Sequence, residues 1–85
     1  MQDIRVAFGQ RVRELRKGLG ISQEELAERA GLHYTYVGGI ERGERNLGLV
    51  NVERVATGLG ISVADLFEVF RGRHPVGSSR RSRSR

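Results

Sequence analysis

The chain has 85 residues, 38% hydrophobic and 29% charged, with a formal charge of +5, which allows one domain with a small core and leaves no room for a second. The absence of cysteine excludes a disulfide framework and a thiolate metal site and fits an intracellular setting. No apolar stretch approaches the roughly 18 residues of a membrane span, and MQDIRVAFGQ lacks the apolar core of a signal peptide, so a cytoplasmic protein is expected.

Ile4, Phe8, Val12, Leu15 and Leu19 recur at helical spacing, which predicts a first helix from about Asp3 to Lys17, ended by Gly18 and Gly20. Ser22 and Glu25 then form a capping box, with Ile21 and Leu26 as a hydrophobic staple, so a second helix begins at Gln23. Leu26, Ala27 and Ala30 give it one narrow apolar face, and Gly31 ends it. Leu32 fills the corner. Val37 and Ile40 define the buried face of a third helix of about two turns, closed by Gly43. At 100° per residue the opposite face carries Tyr34, Thr35, Gly38, Gly39 and Arg42, which are expected to be exposed. Glycines 38 and 39 each cost roughly 1 kcal/mol relative to alanine inside a helix, so something should offset them.

Leu49, Val52, Val55, Ala56 and Leu59 mark a fourth helix stopped by Gly60. Ser62 with Asp65 and Ile61 with Leu66 repeat the cap and staple, opening a fifth helix that carries Phe67 and reaches toward Val69 and Phe70. The string GLGIS occurs twice, at Gly18 and Gly58, and reads as punctuation between helices, since a repeat architecture needs at least three units. The expected fold is all-α, a compact five-helix bundle over residues 1–70.

Residues 71–85 hold six arginines and no acid, which leaves nine basic and ten acidic side chains in residues 1–70, a balance of −1. This segment cannot bury enough apolar surface to offset its ordering entropy and is expected to be a disordered tail, either a basic arm for phosphate contacts or a solvating terminus. Affinity of the folded part for a nucleic acid must therefore come from where its charges sit. Arg13, Arg42, Arg45 and the helix starts are the candidates.

Two short helices joined steeply across a glycine turn make the unit whose second member enters a DNA major groove, although ordinary helical hairpins mimic the spacing. Beyond spacing, the run from Val12 to Phe67, with VRELRKGLGISQEELAERAGL, YVGGIERGERN and ERVATGLGISVADLF, resembles the helix-turn-helix family of lambda-type repressors, Cro proteins and Xre-type regulators. Its YVGGIER segment is similar to the YISGIER type of restriction-modification controller proteins. The resemblance implies a lambda repressor-like fold with the motif in helices two and three. It also implies a sequence-specific transcriptional regulator that binds double-stranded DNA as a homodimer, with Tyr34–Glu41 in the major groove and half-sites about 34 Å apart on a palindromic operator.

Carried over residue by residue, the resemblance gives Gln23 a phosphate contact and gives Thr35 and Tyr34 base edges, with a phosphate equally open to Tyr34. Arg42 and Asn46 match backbone-contacting positions, and Gly38 a small-residue position of close approach. Gly39 falls where relatives often carry a base-reading side chain, so readout leans on Thr35, Tyr34, His33 and DNA shape. Arg16 and Glu41 match a partly buried ion pair joining the first helix to the third. His33 sits at a cap position without being a favoured capping residue, and Tyr36 is expected to pack. The dimer contact is placed near helices four and five, with Phe67, Val69 and Phe70 as exposed apolar candidates. No enzyme activity, cofactor, metal or small-molecule effector is expected, because the carboxylates are explained by caps and His33 and His74 lie in different settings. An antitoxin-like module that grips a protein with the same scaffold is the alternative.

Overall fold

A computed structural model describes residues 2–72. Its regular elements are α1 (Ile4–Leu19), α2 (Gln23–Ala30), α3 (Tyr34–Glu41), α4 (Leu49–Leu59), α5 (Val63–Leu66) and a 3-10 turn at Glu68–Phe70. No strand occurs among the described residues, and none of their helices is long and apolar enough to cross a membrane.

Three of these helices end alike. Gly20, Gly31 and Gly60 adopt left-handed φ values of 73°, 71° and 74°. The following residue then donates its N–H five positions back: Ile21 to Arg16 O (3.3 Å), Leu32 to Ala27 O (2.9 Å) and Ile61 to Ala56 O (3.0 Å). Two residues beyond the first and last of these glycines a serine opens the next helix, Ser22 Oγ accepting from Glu25 N–H at 3.0 Å and Ser62 Oγ from Asp65 N–H at 2.9 Å. Both GLGIS copies are thus the same joint, a glycine stop, an inward isoleucine and a serine start. Only half of the first capping box forms, because the Glu25 carboxylate pairs with Arg29 one turn on (2.8 Å). Their leading glycines differ: α1 runs past Gly18, which faces open space, whereas Gly58 is buried with Leu26 and Ala30 of α2 close by.

In the core, α2 packs against α3 and α4 while α1 lies across α3. Phe8, Val12, Leu26, Val37, Ile40, Val55, Leu59 and Leu66 form its centre. The α1–α3 crossing is close enough to forbid a side chain at Gly9. A Cβ there would sit on the Ile40 carbonyl oxygen and 2.9 Å from that of Glu41. Gly43, with φ 78°, meets Val6 Cα in the same way at 2.8 Å.

Three expectations are corrected at the C-terminal side. α5 stops at Leu66, and Phe67 is its C-cap. Arg11 of α1 donates to the carbonyls of Asp65 (2.7 Å) and Leu66 (3.1 Å), which a longer helix would have used internally. Phe67 and Phe70 are not exposed: Phe67 stacks on Phe8 at 5.4 Å and meets Phe70 at 5.6 Å, and both pack against the core. Val69 is exposed. Leu49, expected in the core, is 87% exposed because it stands in the first turn of α4 beyond the reach of α2 and joins Val50 (64%) and Val63 (40%) in an apolar patch. The expected basic tail lies outside the described residues from 73 onward.

Gly9→Ala should lower stability by about 2 kcal/mol, roughly 10 °C in melting temperature, because overpacking against backbone outweighs the gain in helix preference. Gly18→Ala, facing open space near the end of the same helix, should raise it by up to about 1 kcal/mol. Thermal melts of the two variants check the α1–α3 crossing directly.

Candidate nucleic-acid interface

The surface begins at a polar junction where α1, α2 and α3 meet. Arg16 of α1 grips Glu41 at the end of α3 with two bonds, Nε to Oε2 at 2.6 Å and Nη2 to Oε1 at 3.0 Å. Its remaining Nη1 donates to Ile21 O at 2.9 Å, in the turn before α2. Gln23, the first residue of α2, donates Nε2 to Glu41 Oε1 at 3.0 Å. The Glu41 side chain is 3% exposed and that of Arg16 11%, so each needs the other to offset lost hydration. The bond to Glu41 raises the Arg16 pKa above its ordinary value against the opposing effect of burial. Gln23 is thereby laid along α3 with its Oε1 near Gly38.

The outer side of α3 starts at His33. The imidazole caps the helix, Nδ1 accepting from Thr35 N–H at 3.2 Å, and the same nitrogen lies 2.8 Å from Thr35 Oγ1. Its ring stacks on Tyr34 with centroids 5.0 Å apart. Tyr34, at 51% exposure, and Thr35 both stand free of the core. Tyr36 is half-buried and packs against the core, with its hydroxyl accepting from Asn51 Nδ2 at 3.2 Å.

Gly38 and Gly39 are buried, not exposed as the helical wheel predicts. The wheel is right about their direction but blind to what covers them. A Cβ on Gly38 would lie 3.1 Å from Arg42 Nη1, and one on Gly39 2.9 Å from Arg45 Nε. Without side chains, the helix lets two arginines fold back over bare backbone. Arg45 also holds its guanidinium over the Tyr36 ring, 5.1 Å from the centroid. Arg42 is clamped by Glu44 through bonds of 2.9 and 3.2 Å. That contact raises the Arg42 pKa and lowers the Glu44 pKa, each chiefly through the hydrogen bond.

Arg13 on α1 and Asn46 in the loop after α3 are exposed. The structure thus gathers Gln23, His33, Tyr34, Thr35, Arg42 and Arg45 along α3 and its flanks. Sequence reading did not anticipate Glu44 as a holder of Arg42, although a carboxylate two residues after an arginine was the available signal.

The helix-turn-helix family HTH_3 matches residues 12–66. Control protein C.MunI from a Mycoplasma species is 44% identical over 68 residues, spanning 79% of this chain and 92% of that protein. The crystal structure of the restriction-modification controller protein C.AhdI from Aeromonas hydrophila is similar with a TM-score of 0.72 and 56% identity, covering 74% of this chain and 96% of that one. A further similar structure is the C.Esp1396I controller tetramer in complex with its natural 35 base-pair operator, with a TM-score of 0.75 and 32% identity over 81% of this chain and 91% of that one.

Arg16→Ala should cost about 3 kcal/mol of stability, since it leaves the Glu41 carboxylate with Gln23 as its one remaining partner at the junction. Arg16→Lys should recover part of that, because an ammonium cannot reproduce the fork on both oxygens. Urea melts check both, and an unchanged midpoint for Arg16→Ala would remove the junction from the account of stability.

Proposed function

The chain belongs to the HTH_3 helix-turn-helix family, and from that premise we propose that it is a transcriptional regulator of the restriction-modification controller type, reading a palindromic DNA operator as a homodimer. The observation that carries this is the similarity, over four fifths of the chain, to a controller bound to its operator. It is joined by a recognition helix whose outer residues, Tyr34 and Thr35, are free of structural work in the core.

In this reading Tyr34 and Thr35 meet base edges, where a hydroxyl can donate or accept and the threonine methyl can touch a thymine methyl. Gln23 extends the amide-rich start of α2 toward a phosphate, and Arg13, Arg42, Arg45 and Asn46 supply further backbone contacts. With a balance of −1 over residues 1–70, affinity rests on these few placed groups rather than on the overall field. Arg42 must exchange Glu44 for a phosphate when it binds.

The pairing surface for a second copy is the patch of Leu49, Val50 and Val63 on α4 and α5, in place of Phe67 and Phe70, while Val69 stays exposed. The supporting observations are its exposure and the assembly of the similar controller as a tetramer on its operator.

Selection from a random duplex library should recover a palindrome with half-sites about one helical turn apart. Leu49→Asp should sediment as a monomer and bind a half-site only weakly. Failure to recover any preferred sequence, or a wild-type monomer that binds one half-site, would overturn the reading. Glu44→Gln should tighten binding about two- to five-fold at low salt by releasing Arg42, with the gain shrinking as salt rises. Fluorescence anisotropy titrations across a salt series measure it.

A further inference from the structure

We infer that His33 is a specificity-determining positioning residue, whose imidazole turns the Thr35 hydroxyl into a hydrogen-bond acceptor toward DNA. The operator base facing it would then be one that offers an exocyclic amine, adenine or cytosine. The inference rests on the proposed placement of Thr35 at a base edge.

The argument is a proton inventory. The Thr35 backbone N–H can only donate, and it lies 3.2 Å from His33 Nδ1. In the tautomer in which Nδ1 accepts this bond, the ring proton sits on Nε2. In that tautomer the 2.8 Å contact between Nδ1 and Thr35 Oγ1 is one in which the hydroxyl donates, sharing the single Nδ1 lone pair with the backbone N–H. Its single hydrogen is committed, so only lone pairs remain for a ligand. In the major groove adenine N6 and cytosine N4 donate, whereas guanine O6 and N7 and thymine O4 accept. A threonine hydroxyl that nothing held would rotate to suit either.

Two observations give the arrangement weight beyond capping. Histidine is not among the preferred N-cap residues, so the cap alone does not explain its place there. The stack on Tyr34, 5.0 Å between centroids and 25° between planes, also fixes the ring that holds the hydroxyl.

The test repeats the random-duplex selection with wild type, Thr35→Val, His33→Gly and His33→Asp, each checked for folding by thermal melt. Glycine serves because it substitutes at an N-cap with little loss of stability while removing the acceptor. Aspartate restores an acceptor. Thr35→Val should flatten one position of each half-site. At that position wild type should favour adenine or cytosine over guanine and thymine by about three- to ten-fold, the value of one hydrogen bond. His33→Gly should keep the palindrome and every other position while admitting all four bases there, and His33→Asp should restore the preference at lower overall affinity. Full retention of the preference in His33→Gly, or a wild-type preference for guanine or thymine at the position, would overturn the inference while leaving Thr35 a base reader. If Thr35→Val flattens nothing, the base-reading role of Thr35 fails and the inference goes with it.

Discussion

The placement of α3, which carries the proposed DNA-reading surface, depends on the Arg16–Glu41 junction. A helix of eight residues with two apolar anchors, Val37 and Ile40, and two interior glycines has little reason to persist or to point in one direction. The fork of Arg16 fixes the C-terminal end of α3 to α1 and to the turn before α2, and Gln23 joins the same carboxylate from the start of α2. Such a buried pair adds less net stability than an apolar contact of equal size would. Its directional bonds instead specify one relative arrangement of three helices. Gly9 works with it by letting the backbones of α1 and α3 approach without an intervening side chain.

Surface and scaffold meet at α3 in an unusual division of labour. The helix supplies Tyr34 and Thr35 from its first turn, while its middle is bare backbone roofed by arginines from the loop that follows. What a recognition helix would ordinarily present from its own side chains is here partly presented by residues outside it. The exposed apolar patch of Leu49, Val50 and Val63 belongs to other helices, so the proposed reading and pairing surfaces lie on separate elements.

The parts of this fold legible in the sequence were those decided within a few residues. Ser22, Gly31, Gly60 and Ser62 announce helix ends because cap chemistry is local, and Val37 with Ile40 announces a buried face because the spacing is one turn. Gly9 was silent, since its reason lies in the carbonyls of residues 40 and 41 across the crossing. The burial of Gly38 and Gly39 was misjudged for a related reason: a helical wheel holds no information about Arg42 and Arg45, which leave the wheel before folding back. Phe67 and Phe70 were misjudged as exposed because what covers them, Phe8 of α1 above all, lies far away in the chain. Leu49 illustrates the opposite limit, where an apolar residue satisfied the period but sat beyond the last helix that might have covered it. For the site, sequence supplied the positions and the resemblance supplied their roles, whereas the contacts of His33 with Thr35 and Tyr34 needed the structure.

One consequence follows from the way the cations of the loop are already occupied. In a regulator of the proposed kind, a phosphate competes with Glu44 for Arg42, whereas Arg45 keeps its N–H edge available while its face lies on the Tyr36 ring. At Arg42 backbone binding is then an exchange of partners rather than the filling of an empty site. The cost of that exchange is the modest worth of an exposed ion pair, and it is the same on every duplex.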